Sequence, residues 1–303
     1  MSVMKINNAF SQKRLMFLLL RFLRRQKWAA RVSYLRLNQR IKFYSHFSND
    51  LPIVFGNAMP KSGSHILSQF LEGLSLISPL VFTDIHPIRI YTVEGRHRSQ
   101  EEILYDIDRL KNGDIGWGYL RASEANVKKF TASPMLVYFA YRDPRDVIIS
   151  HILYAMNIHE GHRMRPYYKS LSTMEKRIES TIAGVQSKDV SYPDIRTDYE
   201  RYLPWLEQPE VFSVRFEDII YNREEMLNKM LDHLENKGVS FAVDRKNACN
   251  ILNETMAPSR SPTFRSGTSG SWREYFSEAN KRLFKEVAGD LLIRLGYEHS
   301  NDW

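Results

Sequence analysis

A single cysteine, Cys249, is all the thiol the 303-residue chain has. One thiol excludes an intramolecular disulfide framework, and Cys249 reads as a small group packed on a helix. Metal chemistry is equally short of material, since no cluster of His, Cys, Asp and Glu shows ligand spacing. No internal repeat, heptad pattern or low-complexity tract occurs, which excludes solenoids and coiled coils. The most apolar run, Leu15 to Leu20, is cut by Arg21 and is too short and too charged at its flanks to span a bilayer. A secretory signal needs a longer apolar centre and a small-residue cleavage site, and Ala29-Ala30 after so many arginines is a weak candidate. The spacing Gly-x4-Gly-Lys-Ser/Thr of nucleoside triphosphate-binding loops is also absent.

What is present suits one large α/β core with extensions: 43% of residues are hydrophobic and 12% aromatic. Lys and Arg total 43 against 35 Asp and Glu, a formal charge of +8 that fits a polyanionic nucleotide, nucleic acid or anionic lipid. Much of the excess lies in the first 50 residues, among them Lys13, Arg14, Arg21, Arg24, Arg25, Lys27, Arg31, Arg36 and Arg40. Residues 1–50 therefore read as a basic, helical N-terminal extension, and residues 51–303 as one domain. The extension is expected to pack on the domain with its arginines solvated; the alternative is a basic amphipathic helix on a membrane surface.

Three segments carry chemistry. The first is Met59-Pro60-Lys61-Ser62-Gly63-Ser64-His65, set between the apolar run Ile53 to Ala58 and the amphipathic run Ile66 to Leu76. It reads as strand, tight loop, helix. Gly63 lets the backbone turn, amides at the helix start converge, and Lys61 adds a cation, which together make an anion cradle. An ordinary strand-to-helix turn with a solvated lysine is the competing reading.

The second segment is the strand-like run Met135 to Ala140 leading into Tyr141-Arg142-Asp143-Pro144-Arg145-Asp146, with Ser150 two turns further on. Pro144 suits the first helical turn, Asp143 the N-cap, and Asp146 the positive end of the dipole. Arg142 then sits at the carboxyl end of a strand, where open parallel sheets bind ligands. Arg142 and Ser150 together suit a second phosphate, whereas Arg145 is expected to pair with Asp143 and Asp146 on the surface. The third segment, Ser261 to Trp272, is rich in Ser and Gly, and Arg265 with the amides around Gly267 is placed to close over a phosphate unless the stretch is only a linker.

Helical periodicity is predicted over Gln100 to Lys111, Met174 to Ser187, Arg223 to Asn236, Asp244 to Asn253 and Arg273 to Leu295, with a strand over Glu210 to Phe216. The alternation of strands and helices predicts an α/β fold: a single domain with a central parallel sheet flanked by helices and a P-loop-like anion loop. His159 to Tyr168 reads as a polar, aromatic loop over the substrate cleft.

In this order and at these separations, the three segments resemble those of the sulfotransferases that use 3′-phosphoadenosine-5′-phosphosulfate (PAPS), over about residues 51–298. Val214-Arg215-Phe216-Glu217-Asp218 is similar to that family's strand and acidic turn. The resemblance implies in-line transfer of a sulfuryl group to a hydroxyl or amine acceptor, leaving adenosine 3′,5′-bisphosphate (PAP), with no metal required. It assigns Lys61 to the leaving oxygen, and Ser62, Gly63, Ser64 and His65 to the 5′ groups. Arg142, Ser150, Arg265, Ser266 and Gly267 fall to the 3′-phosphate, and Phe216 to the adenine, where an aromatic face suits stacking.

The sequence departs from the family pattern at the base. Trp117-Gly118-Tyr119-Leu120 carries Tyr119 where many members have His, and a phenol of ordinary pKa near 10 is a poor base at neutral pH. Tyr119 either orients the acceptor or ionises under strong local influence; otherwise His86, two residues after Asp84, is the leading substitute, with His65 second. Ile66 stands where cytosolic-type members often have Trp, and Ser266 where they often have Lys. The implied location is cytoplasmic, and a membrane-lying N-terminus would suggest a lipid-linked acceptor. Other readings are a kinase-like phosphoryl-transfer enzyme, which would carry Mg²⁺ ligands, and an inactive nucleotide-binding member of the same fold. Nucleic acid is not an expected partner, because the basic residues do not interleave with an aromatic platform.

Overall fold

The computed structural model describes residues 26–83, 87–92, 95–132, 135–257, 260 and 268–303. Its strands are β1 (Ile53–Ala58), β2 (Val81–Phe82), β3 (Ile88–Arg89), β4 (Asp114–Tyr119), β5 (Met135–Tyr141), β6 (Val185–Gln186), β7 (Ser191–Tyr192) and β8 (Val211–Arg215). β1 and β5 are the most continuous apolar runs, and they sit side by side in the middle of a parallel sheet ordered β2-β4-β1-β5-β8, with β3 also pairing with β4. Runs apolar on both faces suit that position, because helices cover a parallel sheet on both sides. β6 and β7 form a separate antiparallel pair.

In chain order the helices begin with α1, helical over 26–42, then α2 (Ser64–Ile77), α3 (Gln100–Ile107), α4 (Glu124–Thr131) and α5 (Pro144–Leu153). They continue with α6 (Arg165–Ser170), α7 (Met174–Ala183), α8 (Ile195–Glu200), α9 (Phe216–Tyr221) and α10 (Arg223–Glu235). The last are α11 (Arg245–Thr255), α12 (Glu278–Ala288) and α13 (Leu291–Arg294). One core cluster joins Phe70 and Leu74 of α2 with Met230 and Leu234 of α10 and Leu252 of α11. A second joins Ile148 and Ile152 of α5 with Ile178 and Ile182 of α7 and Phe284 of α12. Burying both strand faces in this way supplies the main driving force for the fold.

Several expected spans are trimmed by local signals. α7 stops at Ala183 because Gly184 follows at φ 79°. The long periodic stretch after Arg273 is broken into a 3-10 turn at Ser271–Glu274, α12 and α13. A capping box at Ser277, in which its hydroxyl and the Asn280 side chain exchange bonds with each other's amides, starts α12 afresh. The stretch His159 to Tyr168 is partly helical, since α6 begins at Arg165. The arginines of the N-terminal helix are not all solvated, because Arg36 reaches the buried carboxylate of Asp114 with Nε–Oδ1 at 3.0 Å.

Arg145 is also not a surface residue. It is 2% exposed, pairs with Asp143 and Glu298, and packs against the rings of both Trp272 and Trp303 at 4.0 and 4.5 Å. Its role is to tie α5 to the C-terminal segment.

Candidate active site

β1 and β5 pair in register from Ile53–Met135 to Ala58–Ala140, so they end together and the anion loop lies beside Arg142. The loop is anchored from below. Ser62 Oγ donates to Met59 O at 2.6 Å and to Ala140 O at 3.0 Å, and the Ser62 amide also bonds Met59 O. Ser62 is 1% exposed and thus shapes the loop, with its hydroxyl turned away from the cleft.

Lys61 adopts φ 70°, the one left-handed non-glycine backbone among the described residues, and Gly63 follows at φ 90°. A Cβ on Gly63 would meet Phe216 Cδ2 at 2.5 Å. Strain of this kind persists where surrounding structure enforces it, characteristically at ligand sites. The Lys61 Nζ lies 3.8 Å from the centre of the Tyr154 ring, and no described carboxylate pairs with it. Tyr154 opens a π-helical turn, Tyr154–Ile158, that continues α5 and brings the ring over the loop. Burial, then the nearby Arg142 charge, pull the Lys61 pKa down to about 8.

Arg142 follows the last residue of β5, and its backbone oxygen accepts from Tyr199 Oη at 2.9 Å. Its guanidinium covers the Phe216 ring at 4.2 Å and donates through Nη2 to Thr268 O at 3.0 Å. Its Nε is buried without a hydrogen-bond partner. Asp143 caps α5 by accepting from the Arg145 amide at 2.9 Å. Ser150 is half-buried on α5 and lines the same cleft.

Asp146 has a role that its position in the sequence did not reveal. It is 1% exposed and accepts from Ser269 Oγ, the Gly270 amide, Ser271 Oγ and the Trp272 amide at 2.7 to 3.1 Å. A carboxylate with four donors folds the end of the Ser/Gly-rich segment down beside Arg142. Arg265, Ser266 and Gly267 lie outside the described residues, as does His86.

The cleft has a volume of about 1130 Å³ and opens at the carboxyl edge of the sheet. Tyr119 Oη is 2.8 Å from Ser64 Oγ on one wall. Burial raises the Tyr119 pKa, only partly offset by the bond to Ser64, so the phenol is less able to act as a base than an ordinary tyrosine. Its placement follows from Asn57, whose amide exchanges bonds with the Leu120 backbone at 2.8 and 2.9 Å across the sheet. Gly118 is required here, because a Cβ would lie 2.4 Å from Ile88 O of β3.

Three described histidines line the cleft: His65, His151 and His162. Burial lowers the His151 pKa to about 3, and its Nε2 is enclosed without a partner. His162 is lowered to about 4, chiefly by burial and then by its neighbour His159, and its Nδ1 accepts from the Met164 amide at 3.3 Å. In the neutral ring that contact leaves the proton on Nε2. His65 is half-buried and lowered first by burial, then by Lys61 and Arg89, so it stays neutral near pH 7. Sequence reasoning found the loop and Arg142 from local pattern. It missed Asn57, the long-range partners of Asp146, and Tyr154, whose place depends on how α5 ends.

The family model for the sulfotransferase domain matches residues 53–296, and the chain belongs to that family. Sulfotransferase 1 family member D1 of Mus musculus is 27% identical over 170 residues, 50% of this chain and 52% of that relative. The chain thus matches about half the length of this relative. Mouse sulfotransferase SULT7A1, solved in complex with PAP, superposes with a TM-score of 0.55 at 17% identity, covering 89% of this chain and 94% of that one. Retinol dehydratase, solved with androsterone and the inactive cofactor PAP, gives a TM-score of 0.50 at 12% identity over 86% and 85% of the two chains. At such identities the likeness is one of fold.

Proposed function

We propose that the protein transfers a sulfuryl group from PAPS to a hydroxyl or amine acceptor. The observation that carries this reading is the cationic cradle at the ends of β1 and β5. There Lys61 is held in a strained backbone conformation beside Arg142, with no described carboxylate to neutralise it. The residues fit the donor: Gly63 lets the loop turn tightly against Phe216, where a Cβ would collide with the ring, and the buried Arg142 Nε has an unused proton. Bound PAPS supplies an activated sulfuryl group whose transfer breaks the S–O bond to the 5′-phosphate and leaves PAP.

Lys61 neutralises the charge that grows on the departing bridging oxygen, an electrostatic contribution of the oxyanion-hole kind. The amides of Gly63, Ser64 and His65, at the start of α2, face the 5′ groups with the helix dipole behind them. Arg142 holds the 3′-phosphate through charge-assisted bonds, with Ser150 beside it, and Phe216, which lines the cleft, lies beside the base. Arg265, Ser266 and Gly267 are assigned to the same phosphate. The cations remove any need for a metal in this scheme.

For the acceptor proton we assign His65 in preference to Tyr119; His86 lies outside the described residues. Tyr119 holds its own proton too tightly and instead orients the acceptor together with Ser64. His162 presents an N–H into the cleft, which suits donating a hydrogen bond. His65 is neutral, half-buried and beside Lys61, so it accepts the acceptor's proton as the new S–O or S–N bond forms.

The decisive experiment is calorimetric titration with PAP in magnesium-free buffer, repeated with ATP and with Arg142→Ala. Tight PAP binding, weaker for ATP and reduced about 10- to 100-fold in the variant, supports the donor site. A magnesium-dependent preference for ATP would overturn it in favour of phosphoryl transfer.

A further inference from the structure

The N-terminal helix has two faces of opposite use. Val32 and Phe43 are buried against the domain, Arg36 pairs with Asp114 at the start of β4, and Gln39 Nε2 donates to the oxygens of Ser75, Ser78 and Leu80. Opposite them Tyr34, Leu37, Ile41 and Tyr44 are 57% to 85% exposed. Their spacing of three, four and three residues draws one apolar stripe along α1 and onto the 3-10 turn Tyr44–His46 that follows it, about 15 Å in all. On a helix wheel Arg40 falls to one side of that stripe, and Lys27, Arg31 and Lys42 to the other. All four are exposed. Four large apolar side chains in a row on a charged surface are uncommon unless something covers them.

Charge identifies what covers them. Residues 1–49 hold eleven of the chain's 43 Lys and Arg and none of its 35 Asp and Glu, while residues 50–303 are net acidic, with 32 against 35. A segment that is basic without exception, joined to an apolar stripe flanked by cations, matches the surface of an anionic bilayer. Aliphatic side chains enter the acyl boundary, tyrosines sit at headgroup depth, and Lys and Arg extend to lipid phosphates. We propose that the α1 stripe docks the protein on anionic lipid membranes as a peripheral, interfacial contact. Among the described residues no helix is long and apolar enough to cross a membrane, which agrees with docking on the surface.

The location of α1 sets the orientation. Its contacts, Asp114, Leu80 and the end of α2, lie at the amino edge of the sheet, whereas Lys61 and Arg142 lie at the carboxyl edge. A bilayer on the stripe therefore leaves the cleft facing the aqueous side, so acceptors arrive from solution. This reverses the expectation of a lipid-linked acceptor that a membrane-lying N-terminus suggested from sequence.

The test is flotation of the full chain with vesicles of phosphatidylcholine alone and of phosphatidylcholine with roughly one-third phosphatidylserine. Wild-type protein should float with the anionic vesicles only, and less at high salt. The double variant Leu37→Glu, Ile41→Glu should reduce that partition at least tenfold while PAP affinity and the circular dichroism spectrum stay unchanged. Failure of the wild type to float, or equal flotation of the double variant, would overturn the proposal. A wild-type dimer in solution that the double variant converts to monomer would also overturn it, by assigning the stripe to a second copy of the chain. PAP binding is read separately throughout, so loss of docking and loss of the donor site remain distinguishable.

Discussion

The two halves of the cleft are built from different material. On the side proposed to hold the donor, β1 and β5 are paired over six consecutive residues, with α2 and α5 starting from their carboxyl ends. On the side proposed to take the acceptor, the wall is assembled from the two-residue strand β3, the turn around His162 and the short β6–β7 pair. The donor half inherits its geometry from the sheet, so positions there tolerate little change. The acceptor half rests on short elements that can vary without moving Lys61 or Arg142, which is where choice of acceptor is expected to reside.

The sharpest way to break this division is Lys61→Ala. Turnover should fall about 10²- to 10³-fold, while PAP affinity changes far less, because the lost interaction is strongest as the leaving oxygen gains charge. Comparable losses in both quantities would make Lys61 a binding residue only. His65→Gln should cost about 10²-fold in turnover and change the pH profile.

The signs of that profile follow from the shifts. Lys61, lowered to about 8, is charged below that value, so kcat/KM should fall as pH rises through about 8. A bound polyanionic nucleotide raises the Lys61 pKa and moves the alkaline limb of kcat upward. His65, lowered from its ordinary value, is a competent base above its pKa, so the acid limb lies below the usual imidazole range. His65→Gln should remove the acid limb and leave the alkaline one. Survival of both limbs in the variant would exclude His65 as the base.

A smaller effect is expected from Gly63→Ala. The left-handed backbone alone costs about 1 to 2 kcal/mol, and the new Cβ would press on Phe216. Thermal denaturation should show Tm lowered by about 3 to 6 °C, together with weaker PAP binding. The smallest effect tests the other half of the cleft. Arg163 lies on the turn near His162 and donates through Nη2 to Ser191 O of β7. Arg163→Ala should change acceptor KM about 3- to 10-fold with PAP affinity within twofold. A large loss of PAP affinity would show that the two halves are not separable.

Much of the proposed donor site was legible because it is written in local pattern. An apolar six-residue run, a Lys-Ser-Gly turn and an amphipathic run became β1, loop and α2, with β1 bounded as expected and the helix starting two residues early at Ser64. Asp143 and Pro144 marked the start of α5 for the same reason: caps and fixed φ angles act within one turn. Element ends were less legible. Gln100 to Lys111 has helical periodicity throughout, yet α3 stops at Ile107 as the chain turns to enter β4.

By itself, then, the amino-acid sequence determined the α/β alternation, the anion loop and the placing of Arg142 at a strand end, since each depends on residues within a few positions of one another. Only the tertiary structure decided which charges the fold consumes and which it leaves facing the cleft, with Arg142 in contact with Asp146 at 3.7 Å. Arg142 and Arg145 are three residues apart, but Arg145 is claimed by Glu298 and two tryptophans from the far end of the chain, whereas Arg142 keeps an unpartnered buried N–H beside Lys61. The same holds for Asp146 and the amides of Gly270 and Trp272, and for Asn57 and Leu120. Buried polar groups must find partners, and in a parallel sheet the partner a group finds is set by which strands and helices are neighbours in space.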